Sequence, residues 1–325
     1  MVKSGDAARE PRPPRDPVAE RSVMRKITVT TDMAADMPEG FFAANGVTVL
    51  PMPFTLGGHD YFDGPLPSPA EFYGALRAGA IASTSQTSAY AAIHAFEGLL
   101  KEGFDILHIS FSSGMSGSAA NISAAAKELL VKYRDASIRV VDSLSGCGGQ
   151  GLMVKAALQM RDEGMKLDEI ADKLEADRMN YHHFFIVEDL NSLYRGGRLS
   201  RLEAAVGTVL GIKPLLELNH YGKIMPLLKV MGKKKALAAI TEQVVKFYRP
   251  EKDGFILVEH GDDLAGAEAL AERIKAALPD ADIRYATVNY LVGAHAGPGA
   301  LAVFFHGAER PRFINVPIPG LKTAK

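Results

Sequence analysis

From Lys26 onward, short apolar runs alternate with longer stretches whose apolar residues recur every three or four positions, the rhythm of strand followed by helix. KITVTTD reads as a strand ending at Asp32, followed by a turn with Asp36 and Pro38, a short helix and a second strand in VTVLPM. Pro67 to Ala78 opens another helix. Between Ala82 and Gly103 a run of hydroxyls precedes a helix with its apolar stripe at Ala92, Phe96, Leu99 and Leu100, and Ser88 is its natural N-cap. FDILHISF then gives a short buried strand through Ile106, Leu107, Ile109 and Phe111, which stops abruptly in the loop SSGMSGS. A helix to about Tyr133, a strand in SIRVVDS, the glycine-rich loop GCGGQG and a helix from Leu152 to Met160 complete the first half. Alternation over Lys26 to about Glu163 predicts a doubly wound, mostly parallel sheet with helices on both faces.

Past Lys166 the pattern changes. A helix to Met179, the strand HHFFIVED, the turn LYRGGRLS and a helix from Ala204 to Leu210 lead into KPLLELN and KIMPLLKV. These two are joined only by HYG, too short a connection for parallel neighbours, so they predict an antiparallel pair. A helix from Lys233 to Tyr248, the strand GFILVEHG, a helix from Leu264 to Leu278, and the strands DIRYATV and ALAVFFH follow. The expected fold class is α/β, with an N-terminal domain over 26–163 and a C-terminal α/β domain with a partly antiparallel sheet over 164–318. Residues 1–25, rich in Pro, Arg and acids and without apolar period, are expected to form a flexible tail.

Composition changes this picture little. A chain of 325 residues suits two cores better than one. With 47% hydrophobic and 23% charged residues and a formal net charge of -1, it lacks the basic excess of a nucleic-acid binder. The single cysteine, Cys147, excludes an intrachain disulfide and a cysteine zinc cage, which fits a reducing cytoplasm. No apolar stretch reaches the ~18 residues of a membrane span, and the N-terminus has no signal-peptide core.

Candidate chemistry gathers in the loops. SSGMSGS, a loop of hydroxyls and glycines between a strand and a helix, suits an anion at the carboxyl edge of a sheet, and any tight strand-to-helix turn uses the same residues. GCGGQG matches G-x-G-x-x-G, but Asp168 and Glu169 lie at a helix start where a dinucleotide site needs an acid at the end of a strand. Ser116, with Asp142 and His295 downstream, has the order of a hydrolase triad, yet Ser118 stands where a nucleophile elbow has its second glycine. His182 and His183, adjacent on a strand, point to opposite faces and cannot share a metal ion. In GAHAGPG the flanking glycines expose His295 to a ligand, and RGGR offers Arg195 and Arg198 to a phosphate or an acidic protein surface unless they are merely solvated.

Five of these pieces stand in a particular order: TTDMAADMP from Thr30, STSQTS from Ser83, SSGMSGS from Ser112, YRGGRLS from Tyr194 and AHAGPGALAV from Ala294. Together they resemble the DegV family over nearly all of the chain except its first residues. The resemblance implies a cytoplasmic two-domain carrier, not an enzyme, that holds one long-chain fatty acid between its domains with no cofactor or metal. It also implies a separate ATP-dependent fatty acid kinase, a dihydroxyacetone-kinase-like protein, that converts the presented carboxylate to acyl phosphate. Contact with a membrane would be transient. By position, Thr84 and Ser116 would hydrogen-bond the carboxylate and His295 would be a third contact, with Ser85, Gly117 and Ser113 as lesser additions. Arg195 and Arg198 would dock an acidic kinase surface. Neutral donors of this kind keep a carboxylate nucleophilic, where an arginine clamp would hold it back. Thr87, Ser118 and Met33 depart from the family pattern, in which proline, threonine and a small hydroxyl residue are usual.

Overall fold

The computed structural model describes residues 25–62, 64–199 and 212–311. Residues 1–24 of the expected tail and the expected helix from Ala204 to Leu210 lie outside the described residues, while Arg25, the last residue of the expected tail, is anchored by hydrogen bonds to the Leu100 and Phe104 carbonyls. Three sheets organise the described chain. The first contains β1 (Lys26–Asp32), β2 (Thr48–Leu50), β6 (Phe104–Ser110) and β7 (Ile138–Asp142) in the order β2-β1-β6-β7, with every pairing parallel. Its helices are α1 (Phe41–Ala44), α3 (Ala89–Lys101), α4 (Ser118–Lys132), α5 (Cys147–Asp162) and α6 (Leu167–Asp177).

A small antiparallel sheet, β4-β3-β5, comprises β3 (Phe54–Leu56), β4 (His59–Tyr61) and β5 (Ala82–Thr84) and is covered by α2 (Pro69–Arg77). No part of this sheet is foreseen in the sequence pattern, because three-residue strands are too short to show an alternation. Ser68 caps α2 with a reciprocal Glu71 contact, and α2 delivers Phe72 and Tyr73 into the core beneath Phe54. Ser88 caps α3 as its position before the apolar stripe requires, accepting from the Ala91 N–H.

The six-stranded sheet runs β10-β9-β8-β13-β11-β12. It is built from β8 (Tyr181–Ile186), β9 (Ile212–Leu218), β10 (Ile224–Met231), β11 (Ile256–His260), β12 (Ile283–Thr287) and β13 (Leu301–His306). Only β11 and β12 pair in parallel, and the β9–β10 hairpin is antiparallel as its short link demands. Its helices are α7 (Leu190–Arg195), α8 (Lys233–Phe247), α9 (Pro250–Asp253), α10 (Leu264–Ala277) and α11 (Tyr290–Ala296). The fold is thus α/β with one parallel and one mainly antiparallel large sheet.

Helix α5 joins the two. The glycines of GCGGQG are not a loop, as the sequence suggests, but its first turns. A methyl group at Gly148 would lie 2.6 Å from Glu259 Oε1 and 2.7 Å from Leu257 Cδ2, and one at Gly151 would overlap the Asp36 carbonyl oxygen. One continuous core therefore holds Val29, Leu107 and Val141 of the parallel sheet together with Leu257, Ala302 and Phe304 of the other. The glycines serve helix–sheet approach, which explains the motif without a phosphate.

Candidate functional site

The parallel strands end on one side, and their last residues position the loops that follow. Asp32, fully buried at the end of β1, accepts hydrogen bonds from the N–H of Phe111 (2.8 Å), the N–H of Ala34 (3.2 Å) and Gln150 Nε2 of α5 (3.0 Å). Burial still pushes its carboxyl above the usual range despite these donors. Asp32 thereby fixes where SSGMSGS leaves β6. At the other end of that loop Ser116 Oγ lies 2.9 Å from Ser118 Oγ, and Ser118 Oγ accepts from the Thr87 N–H at 3.0 Å. Two of the departures from the family pattern therefore touch: a proline at position 87 would have no N–H to give Ser118.

Thr84 and His295, 211 residues apart, meet directly: Thr84 Oγ1 and His295 Nε2 are 2.8 Å apart, with the direction of donation set by the imidazole tautomer. Thr84 sits at the end of β5, paired with Phe54. His295 is not in a loop between glycines but in the last turn of α11, whose N-cap Asn289 accepts from the Val292 N–H. The loop begins only at Gly297, at φ 75°. Burial pushes the imidazole down to about 4, and the positive charge of Arg198 adds to the fall, so His295 is neutral at pH 7.

Thr84, Ser85, Ser116, His295 and Arg198 line one cavity of about 890 Å³, its mouth included. The rest of its wall is mostly apolar, with Met52, Phe111 and Met115 from the first half of the chain and Leu291, Ala300 and Phe304 from the second. Gly117 and Ser113 are not part of this wall. Gly117 precedes α4 and leaves room for the Gln86 side chain, while Ser113 is exposed and gives its N–H to Asp142 Oδ1 at 3.1 Å. Gln86 lines the cavity and was not a sequence candidate.

The two arginines of RGGR part company. Arg195 is exposed, 3.8 Å from Asp189. Arg198 turns inward, half-buried, with Nε donating to the Met115 carbonyl at 3.2 Å and Nη1 to that of Gly196. Leu193 to Arg195 end α7 instead of forming a turn, and Gly196 packs on His295 Nδ1, where a side chain would overlap the ring. Gly196→Ala is accordingly expected to push His295 out of its seat. NMR titration should then find its pKa raised from about 4 toward the ordinary 6.5, because desolvation is the main cause of the depression.

A hydrolase triad is not assembled. His295 bonds Thr84, the Ser116 hydroxyl bonds Ser118, and Asp142 accepts from the N–H groups of Ser113 and Leu144. His182 and His183 do face opposite ways, and both are buried: His182 stacks on Phe305 and bonds the Ala308 carbonyl at 2.7 Å, whereas His183 bonds Ser145. Among the described residues one group brings three potential metal ligands together, Asp36, Cys147 and Glu259, with ligand atoms within 4.8 Å of one another. All three are buried behind the cavity wall to which Cys147 belongs. Burial pushes Asp36 up to about 7 and both Glu259 and the Cys147 thiol well up, so each of the three is shifted toward its protonated form. Neither Asp36 nor Glu259 stands out in the sequence as part of a pair, since they are brought together only where α5 spans the sheets.

Comparison with known proteins bears on this cavity. The profile of the family described as "Uncharacterised protein, DegV family" matches residues 26–307. A DegV domain-containing protein of Clostridium perfringens is 37% identical over 286 residues, covering 87% of this chain and 98% of that protein. The crystal structure of a fatty acid binding DegV family protein from Streptococcus agalactiae superposes with a TM-score of 0.77 at 30% identity, covering 88% of this chain and all of that one. A DegV family protein from Thermus thermophilus, whose structure is described by its fatty acid binding, gives 0.77 at 28% identity over 87% of this chain. On the breadth of these matches and the order of its motifs, the chain belongs to the DegV family.

Proposed function

We propose that this protein binds one long-chain fatty acid in the cavity between a domain over 26–163 and a domain over 164–318. In this reading it presents the carboxylate to a separate ATP-dependent fatty acid kinase, in the cytoplasm and without catalysis of its own. The observation that carries the reading is a long-range pair of polar side chains, Thr84 and His295, set in the wall of an otherwise mostly apolar cavity. Fatty acid binding by related proteins of the same fold supports it.

The energetics agree. Each methylene taken from water contributes about 0.8 kcal/mol, so a long chain supplies a large gross driving force before ordering costs. The carboxylate must be resolvated by donors, and hydrogen bonds to a charged group contribute roughly 1.5 to 3 kcal/mol each. Thr84, Ser116 and neutral His295 supply such donors, with Ser85 at the rim. Exposed Arg195 fits a docking contact with an acidic kinase surface. Among the described residues no helix is long and apolar enough to cross a membrane.

Native mass spectrometry of protein purified from cells is expected to find a bound species of a few hundred daltons that fragments as a fatty acid. A cavity empty in every preparation would sink the reading, and a different elongated apolar acid would redefine the ligand. Thr84→Ala combined with Ser116→Ala is expected to weaken fatty acid binding at least tenfold, about 1.4 kcal/mol, with an unchanged circular dichroism spectrum. Unaltered affinity would put the head group elsewhere.

A further inference from the structure

The turn that leads from β5 to α3 is fastened to the start of α4 through one residue. Thr87, fully buried, gives its N–H to Ser118 Oγ at 3.0 Å, and its carbonyl accepts from Asn121 Nδ2 at 2.9 Å. Among the described residues its own hydroxyl has no hydrogen-bond partner, so the backbone of Thr87 makes the connection. Ser118 is fully buried as well, and among the described residues its hydroxyl meets two groups, the Thr87 N–H and Ser116 Oγ at 2.9 Å. An N–H can only donate. A buried hydroxyl must place its proton on an acceptor or leave a donor unsatisfied, so the Ser118 O–H donates to Ser116 Oγ. Ser116 Oγ accepts a second bond from the Ser118 N–H at 3.2 Å. A serine oxygen has two acceptor sites and one proton. Both acceptor sites are therefore taken, and the proton is left for the cavity that Ser116 lines.

We infer that Ser118 is a positioning residue: it fills both lone pairs of Ser116 and so commits the Ser116 hydroxyl to donate to the ligand's carboxylate. This rests on the reading of the cavity as a fatty acid site and adds to it what sets the polarity of one donor. A lone serine hydroxyl turns freely and either donates or accepts, whereas this one can only give. Accepting two bonds also polarises the O–H and strengthens the bond it donates. The same arrangement leaves Ser116 Oγ no lone pair with which to attack an acyl carbon, which suits holding a carboxylate and not cleaving an ester. Thr87 anchors this relay, as the proline usual at that position in the family could not.

The test is a double-mutant cycle in which tetradecanoic acid displaces a fluorescent fatty acid probe from delipidated wild type, Ser116→Ala, Ser118→Ala and the double variant. Ser118→Ala is expected to weaken binding about fivefold where Ser116 is present and less than about twofold in the Ser116→Ala background, because groups joined by a hydrogen bond are not additive. Ser118→Thr, which keeps the hydroxyl, should bind as wild type does. Equal losses in both backgrounds would show that Ser118 acts on the fold and not through Ser116, and would overturn the assignment. So would Ser118→Ala binding like wild type, or Ser118→Thr binding as weakly as Ser118→Ala. Should Ser118→Ala fail to fold because the Thr87 N–H is left unpaired, Ser118→Ala with Thr87→Pro removes that donor too and carries the same cycle. A wild type that does not bind tetradecanoic acid, or Ser116→Ala binding it undiminished, would overturn the reading of the site itself and the assignment with it.

Discussion

Gly151→Ala is expected to cost about 3 kcal/mol of folding stability, the upper end of what one methyl group in a packed interior does. Its Cβ would overlap the Asp36 carbonyl oxygen, a backbone atom, and would approach Met37 Cγ to 2.8 Å. Neither side can yield easily, because Asp36 is held by Asn289 and α5 is packed between two sheets. Thermal unfolding followed by circular dichroism should show a midpoint lower by roughly 5 °C. Gly98→Ala provides the contrast. Gly98 is also helical but exposed, with nothing within 4 Å of its would-be Cβ, so alanine there should stabilise by about 0.5 to 1 kcal/mol. If the two substitutions behaved alike, the close approach of α5 to the β1 turn would be wrong.

Glu259→Met is expected to stabilise the protein at pH 8, by roughly 1 to 3 kcal/mol, as replacing buried ionisable groups with apolar ones often does. Glu259 is fully buried, and its carboxyl faces the acidic groups of Asp36 and Cys147 and no cation among the described residues. The pH dependence follows from proton counts. Burial raises the folded-state pKa of both Glu259 and Asp36, the latter from 3.8 to about 7, so between those values the folded state holds protons that the unfolded chain has released. Wild-type stability attributable to the pair therefore falls as pH rises through that window. The gain from Glu259→Met should accordingly be small at pH 5 and large at pH 8. Urea unfolding at the two pH values measures it, and a variant less stable at both would mean that Glu259 works as a paired anion.

Much of the architecture was legible along the chain because periodicity is a local property. The seven-residue β1 and β6 match their apolar runs, Ser88 caps α3 where a hydroxyl precedes the stripe, and the HYG link forces β9 and β10 antiparallel. Legibility failed where the signal was short or the reason non-local. β3, β4 and β5 hold three residues each, so the sheet that presents Thr84 left no alternation to read. GCGGQG looked like a loop because glycine disfavours helices, and only the sheets crowding α5 explain why helix forms there regardless. His295 seemed to belong to a glycine loop because a seven-residue helix ending at Ala296 is too brief to show a stripe.

By itself the sequence determined the kinds of element, their order and the loops rich in hydroxyls, since those depend on neighbours a few positions away. Which of these groups meet was decided by tertiary structure alone. The contacts of Thr84 with His295 and of Thr87 with Ser118, and the cluster of Asp36 with Glu259, each join segments set by separate sheets. Arg198 shows the difference most plainly: its charge is written in the chain, but whether a charge faces solvent or a cavity depends on what folds over it.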